Sequence, residues 1–216
     1  IRILNVNGAR VALLHYTTSL NSGGAAAVKK SGTQAVPRAE ISRIRQEISS
    51  AREQLADMIM VTVHWKSSGS NTPSREQKNL VQQIAQAGAD VIIGMGDTPV
   101  QTAEWLEVTR EDGSVHRVCC FYSIGSLVTS GRENKDVAGA VVNLQASLTD
   151  GALSLDAVTV TPTYIWRFEL DSTAHYLVLP SSRAAPDGME SSQQKAMANA
   201  LERVRKVFQG SGFPLQ

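Results

Sequence analysis

The residues best suited to chemistry stand in two short stretches, His64-Trp65-Lys66 and Gly94-Met95-Gly96-Asp97-Thr98-Pro99. An imidazole and a carboxylate can trade protons as base and acid, and both are usual donors to a divalent metal. His64 is then a ligand or substrate contact, or else a histidine that caps a strand end through its backbone. Asp97 is an acid/base group or a ligand, or else a turn residue, since Gly-Asp-Thr-Pro is turn chemistry. Trp65 can stack on a ligand or pack in a core.

Both stretches follow apolar runs, and those runs say how the residues must be held. Met58–His64 reads as a central strand. Lys66–Thr72 is a polar loop. Ser74, with Gln77 three residues on, fits a capping box, and Leu80, Val81, Ile84 and Ala85 form one helix face closed by Gly88. Asp90–Gly94 is a second strand. Strand, helix, strand at this spacing predicts a right-handed crossover between parallel strands. Their exits at His64 and Gly94 then share one sheet edge, where open α/β sheets bind ligands. Lys66 and Arg75 beside that crevice suit an anionic polymer, or are simply solvated.

The rest of the chain frames this unit. Val11–Tyr16 reads as a buried strand after an Asn7-Gly8 turn, and Asn21–Val36, rich in Gly, Ala and Ser, as a surface loop. Pro37 opens a helix with Ile41, Ile44, Ile48, Ala51 and Leu55 inward. Arg117–Ser123 is a further strand. Ala138–Leu148, Leu153–Val160, Tyr164–Leu170 and His175–Leu179 look antiparallel, with an Asp150-Gly151 hairpin turn. Residues 189–210 hold a terminal helix, amphipathic over Ser191–Phe208. The fold class is α/β, with a parallel β-α-β unit in the first half, antiparallel strands after Arg117, and a single domain over 1–216.

Composition narrows the partners. The 216 residues are 42% apolar, with a formal charge of +1 and a pI near 8.0. No basic run marks a nucleic-acid binder, and no apolar run reaches the roughly 18–20 residues of a membrane helix. Ile1 stands where an initiator Met would, which predicts removal of the N-terminus by processing, proteolysis or cloning. Cys119 and Cys120 are adjacent, so they read as buried thiols rather than a bridge. Gly94-Met95-Gly96 lacks the third glycine of a dinucleotide loop, and Ser123 is not in a nucleophile elbow. His15, His116 and His175 share no ligand spacing.

Read in order, His64-Trp65, Pro73, Gln77, Ala87-Gly88-Ala89-Asp90-Val91-Ile92-Ile93-Gly94, Gln101, Glu104 and Tyr122-Ser123-Ile124-Gly125 resemble the CapA-type capsule-synthesis (poly-γ-glutamate) family over about Val11–Val128. The resemblance implies a partial metallophosphatase-like α/β sandwich. In such folds strand-end loops offer His, Asp and Asn to two divalent metals such as manganese. It implies metal-dependent hydrolysis of a phosphoester or related bond, if the chain is catalytic. His64 is then the one metal ligand carried over and Asp97 a substitute, with Trp65, Lys66, Thr98 and Glu104 as substrate contacts. It also implies capsule-synthesis partners and an extracytoplasmic or cell-surface place.

The match departs from the family at its centre. The two histidines of a His-Pro-His motif fall on Gly96 and Thr98, and the Gly-x-Glu after His-Trp becomes Lys66-Ser67-Ser68. The Asn after Ser-x-Gly becomes Ser126. The family's early motifs are expected upstream of Ile1. The sequence therefore predicts that metal is weakly held or absent. The rival to an enzyme is a non-catalytic domain that binds an anionic polymer or a partner protein.

Overall fold

The computed structural model describes residues 1–31, 37–66, 69–96, 99–109, 113–130, 136–149 and 152–216. Six strands build the main sheet: β1 (Arg2–Val6), β2 (Ala9–Thr17), β3 (Met58–Trp65), β4 (Val91–Gly96), β5 (Gln101–Thr109) and β6 (Val115–Ser123). Their order is β1-β2-β3-β4-β6-β5. β2, β3, β4 and β6 run parallel, while the edge strands β1 and β5 are antiparallel to their neighbours. The β-branched runs of β3 and β4 suit strands covered on both faces.

Helices cover one face. α1 (Ser22–Ser31) buries no residue. It occupies part of the stretch read from the sequence as a loop, and Asn21 Oδ1 caps it by accepting from Gly24 N at 2.7 Å. α2 (Ile41–Glu53) buries Ile44, Ile48 and Ala51. α3 (Arg75–Gln86) buries Val81, Ile84 and Ala85, and its capping box of Ser74 and Gln77 is formed. Both pack on Ile59, Val61 and Val63 of β3. Leu55, expected on the inner face of α2, is instead exposed beyond the helix end, with φ 61°.

The second face is covered by a three-stranded antiparallel sheet and a helix: β7 (Ala138–Thr149), β8 (Ala152–Leu170), β9 (Thr173–Pro180) and α4 (Ser191–Phe208). Phe121 of β6 meets Phe208 of α4 and Phe213 at centroid distances of 5.9 and 4.8 Å. Two strands read separately from the sequence are one 19-residue strand, β8. Pro162 falls one residue beyond the β9 register, pairs with Ala140 of β7, and its carbonyl still accepts from Ser181 N at 2.8 Å. The Asp150-Gly151 turn lies outside the described residues.

One strand assignment needs correction. The strand at Arg117–Ser123 was expected to begin an antiparallel half, yet β6 pairs parallel with β4. The antiparallel contact is on its other side, with β5, which the sequence reading missed. Among the described residues no helix is long and apolar enough to cross a membrane.

Candidate functional site

Because β2, β3, β4 and β6 are parallel, their C-terminal ends leave the sheet at one edge. Thr17, His64 and Met95 are neighbours in register, and Trp65 stands beside Gly96. The two exits proposed from the sequence are therefore side by side. The backbone beyond β2 is tied to β3, where His64 O accepts from Thr18 N at 2.9 Å. Lys66 N donates to Thr18 Oγ1 at 2.9 Å.

His64 is half-buried at this edge. Its Nδ1 lies 3.4 Å from Thr17 Oγ1, and its Nε2 has no hydrogen-bond partner among the described residues. The next strand decides what else can stand here. Gly96 has φ +122°, and a Cβ built on it would lie 2.8 Å from Trp65 O and 3.1 Å from His64 Nε2. Only glycine takes that backbone without strain. The position that the resemblance gives to a metal-binding histidine is thus closed to a side chain by the imidazole and carbonyl of β3.

The neighbouring motif residues lock the backbone together. Trp65 is buried, and its Nε1 donates to Tyr122 O at 2.6 Å. Gly94 makes the contact feasible, since a Cβ there would lie 1.9 Å from that same oxygen. Ile124 N donates to Gly94 O at 3.1 Å, joining the Tyr122-Ser123-Ile124-Gly125 turn to β4. Glu104 accepts the Tyr122 hydroxyl at 2.6 Å. Burial and that carboxylate push the Tyr122 phenol far up, so it stays protonated. This fixes Glu104 against Tyr122, and it is not among the residues lining the edge cleft.

A cleft of about 470 Å³ opens at the edge, lined by Thr18, Trp65, Lys66, Ser74, Glu76 and Leu80. Lys66 is exposed in it. The Glu76 carboxylate is held below its usual range by its own backbone N–H and the Ser74 hydroxyl. The loop that forms one wall hangs on a pair of buried amides. Gln77 Nε2 donates to Gln101 Oε1 at 2.9 Å, and Gln101 Nε2 donates to Ser70 O at 3.0 Å. Asp97 and Thr98 lie outside the described residues, as do Ser67 and Ser68.

The remaining titratable groups are dispersed. His15 is on the same face as His64, with Nδ1 2.6 Å from Thr62 Oγ1, and burial and the His64 charge lower its pKa. His116 bonds to Ala89 O and Asp90 at the far end of the strands. Burial pushes the Cys119 thiol up to about 12 and Cys120 well above its usual value, so neither is a ready nucleophile. Among the described residues no three His, Cys, Asp or Glu side chains converge as metal donors.

The cross-links among Trp65, Gly94 and Tyr122 and between Gln77 and Gln101 were out of reach of spacing rules. They join residues up to 57 positions apart. The sequence signal was only that those residues recur in the quoted motifs.

A family model described as "Bacterial capsule synthesis protein PGA_cap" matches residues 1–130. The "Capsule biosynthesis protein CapA" of Bacillus anthracis is 28% identical over 124 residues, which cover 57% of this chain and 28% of that relative. The "PGA biosynthesis protein CapA" of Bacillus subtilis (strain 168) is 33% identical over 123 residues, covering 57% and 29%. The matched segment thus spans under a third of the length of these curated relatives.

Proposed function

This chain belongs to the bacterial capsule synthesis family, and from that premise we propose that it serves synthesis or export of an anionic capsule polymer by holding the polymer rather than cleaving it. The two curated relatives are named for capsule and PGA biosynthesis, and poly-γ-glutamate is the polymer we assign. The cell envelope is the setting such a role implies.

The observation that carries the reading is Gly96. Its backbone is pressed against Trp65 O and the His64 ring, so position 96 lacks room for a ligating side chain. A paired-metal hydrolase needs several donors at this edge, and among the described residues His64 is not part of any group of three His, Cys, Asp or Glu donors. Lys66 instead offers a cation to a carboxylate-bearing chain, and the Glu76 carboxylate in the same lining, already held by the Ser74 hydroxyl, sets the side of the cleft such a chain must avoid. Partner proteins of capsule synthesis would act on the same polymer.

A metal-dependent phosphoesterase is the second reading. It is favoured by the Nε2 of His64, which has no described partner at the strand exit. The two are separated by measuring hydrolysis of a generic phosphodiester with added manganese, alongside binding of poly-γ-glutamate. We expect polymer binding that persists in chelator and no manganese-stimulated turnover. Manganese-dependent turnover that vanishes in His64→Ala would overturn the proposal.

A further inference from the structure

α4 carries a stripe that the family-matched half does not supply. Lys195, Asn199, Arg203 and Lys206 are spaced four, four and three residues apart, which puts them on one helix face over about 16 Å. Beneath part of that stripe lies a groove of about 710 Å³, whose opposite wall is Asn71, Thr72 and Pro73 with Thr102. We infer that this groove is a binding track for a polycarboxylate chain, an inference that rests on the polymer-holding function proposed above.

Charge, shape and position support it together. Lys206 is exposed and has no ion-pair partner among the described residues. Arg203 is half-buried and only loosely engaged, its Nη1 3.4 Å from Asn71 Oδ1. The one carboxylate among the described lining residues, Glu202, is already paired with Arg205 at 2.6 Å. Asn199, between Lys195 and Arg203 on the helix, adds a neutral amide donor to the cations, and it can meet a carboxylate or a backbone amide of the chain.

The far wall is preformed, because Asn71 Nδ2 donates to Val100 O at 2.8 Å and Gln101 holds the carbonyls of Ser70 and Thr72. Ser74 of the same loop lines the strand-edge cleft, so the loop is a wall common to both. A chain seated beside Lys66 can therefore continue over residues 71–73 into the α4 groove. The other large cavity, about 560 Å³, lies at the opposite edge and is lined by Asp57, Asp90 and Asp156. Its Arg117 is already stacked on Trp105 at 4.2 Å. It would repel a polyanion.

The test is fluorescence anisotropy of the full chain with labelled poly-γ-glutamate of defined length, in low and moderate salt. Arg203→Glu with Lys206→Glu should weaken binding by about tenfold or more. Arg203→Gln with Lys206→Gln should give a smaller loss, and it reads the groove even where the reversed pair fails to fold. Lys29→Glu with Lys30→Glu, on exposed α1, should stay within about twofold.

Wild-type protein that does not bind the polymer overturns the function proposed above together with this inference. Wild-type binding that survives both α4 variants overturns the groove alone and leaves that function standing. An equal loss in the α1 control shows unspecific attraction and overturns the groove, as does linear polyphosphate binding as tightly as the polycarboxylate.

Discussion

The two halves of the molecule differ in how far their elements are exposed, although both use polar side chains as ties, Gln193 Nε2 donating to Arg167 O in the second as Gln101 Nε2 does to Ser70 O in the first. In the sheet of residues 1–130, polar groups point inward and tie backbone to backbone. Trp65 Nε1 holds Tyr122 O, Gln101 holds the 70–72 loop, and Asp90 accepts from Ile59 N at 2.6 Å and from Arg52 at 2.7 Å. In the second half, β9 is almost wholly exposed and α4 turns Lys195, Arg205 and Lys206 to solvent. The residues that make the family recognisable are thus largely those that close its architecture. The surface that differs is carried by the segment outside the family match.

That contrast can be broken at the joint between the halves. Phe121 is fully buried and touches Phe208 and Phe213. Phe121→Ala should cost roughly 3–5 kcal/mol, read by denaturant unfolding with probes in both halves. We expect one shared transition. Two separate transitions would mean that the second half is a module of its own.

The lock within the first half is sharpened by Gly94→Ala. The new methyl would meet the Tyr122 carbonyl and the Trp65 indole, and the cost should be about 3 kcal/mol. The same measurement checks it, and near-neutrality would show that the Trp65–Tyr122 contact yields easily.

The smallest expected effect concerns acid. Glu47 loses some charge stability by burial, but hydrogen bonds from the Tyr16 hydroxyl and the Arg43 guanidinium outweigh this and hold its pKa below the usual carboxylate range. A depressed carboxylate stabilises the fold above its unfolded pKa, and that contribution is lost as pH falls through the folded value. Glu47→Gln should therefore flatten the acid limb of stability against pH while leaving the neutral region parallel, and it should also soften the alkaline fall that the raised Tyr16 phenol imposes above its unfolded pKa. A variant with an unchanged acid limb would remove Glu47 from the account.

How much of this was legible follows from where the signal lives. The β3-α3-β4 unit could be read because an apolar run, a capping box and a closing glycine are all local. So could α4, whose Ala200, Val204 and Phe208 are inward at helical spacing. β5 was missed because Glu104 and Trp105 are neither clearly in nor clearly out, and the strand is an edge. α1 was missed because a helix that buries nothing shows no apolar period. At the candidate site, the adjacency of the exits at His64 and Gly94 followed from topology. The side-chain ties around them did not, since hydrogen bonds across dozens of residues leave no spacing to detect. The groove beside α4 depended on which loop the helix lands against.

Gly96 also limits how this chain can be changed. A library that varies that codon alone would find nearly every replacement penalised, because the left-handed backbone and the imidazole beside it leave no room for a newcomer. Restoring a donor atom there would take at least two coordinated alterations, one to release the chain and one to supply the ligand. Single-step laboratory evolution toward metal chemistry should stall at this position, so its more accessible routes run through the outer surface.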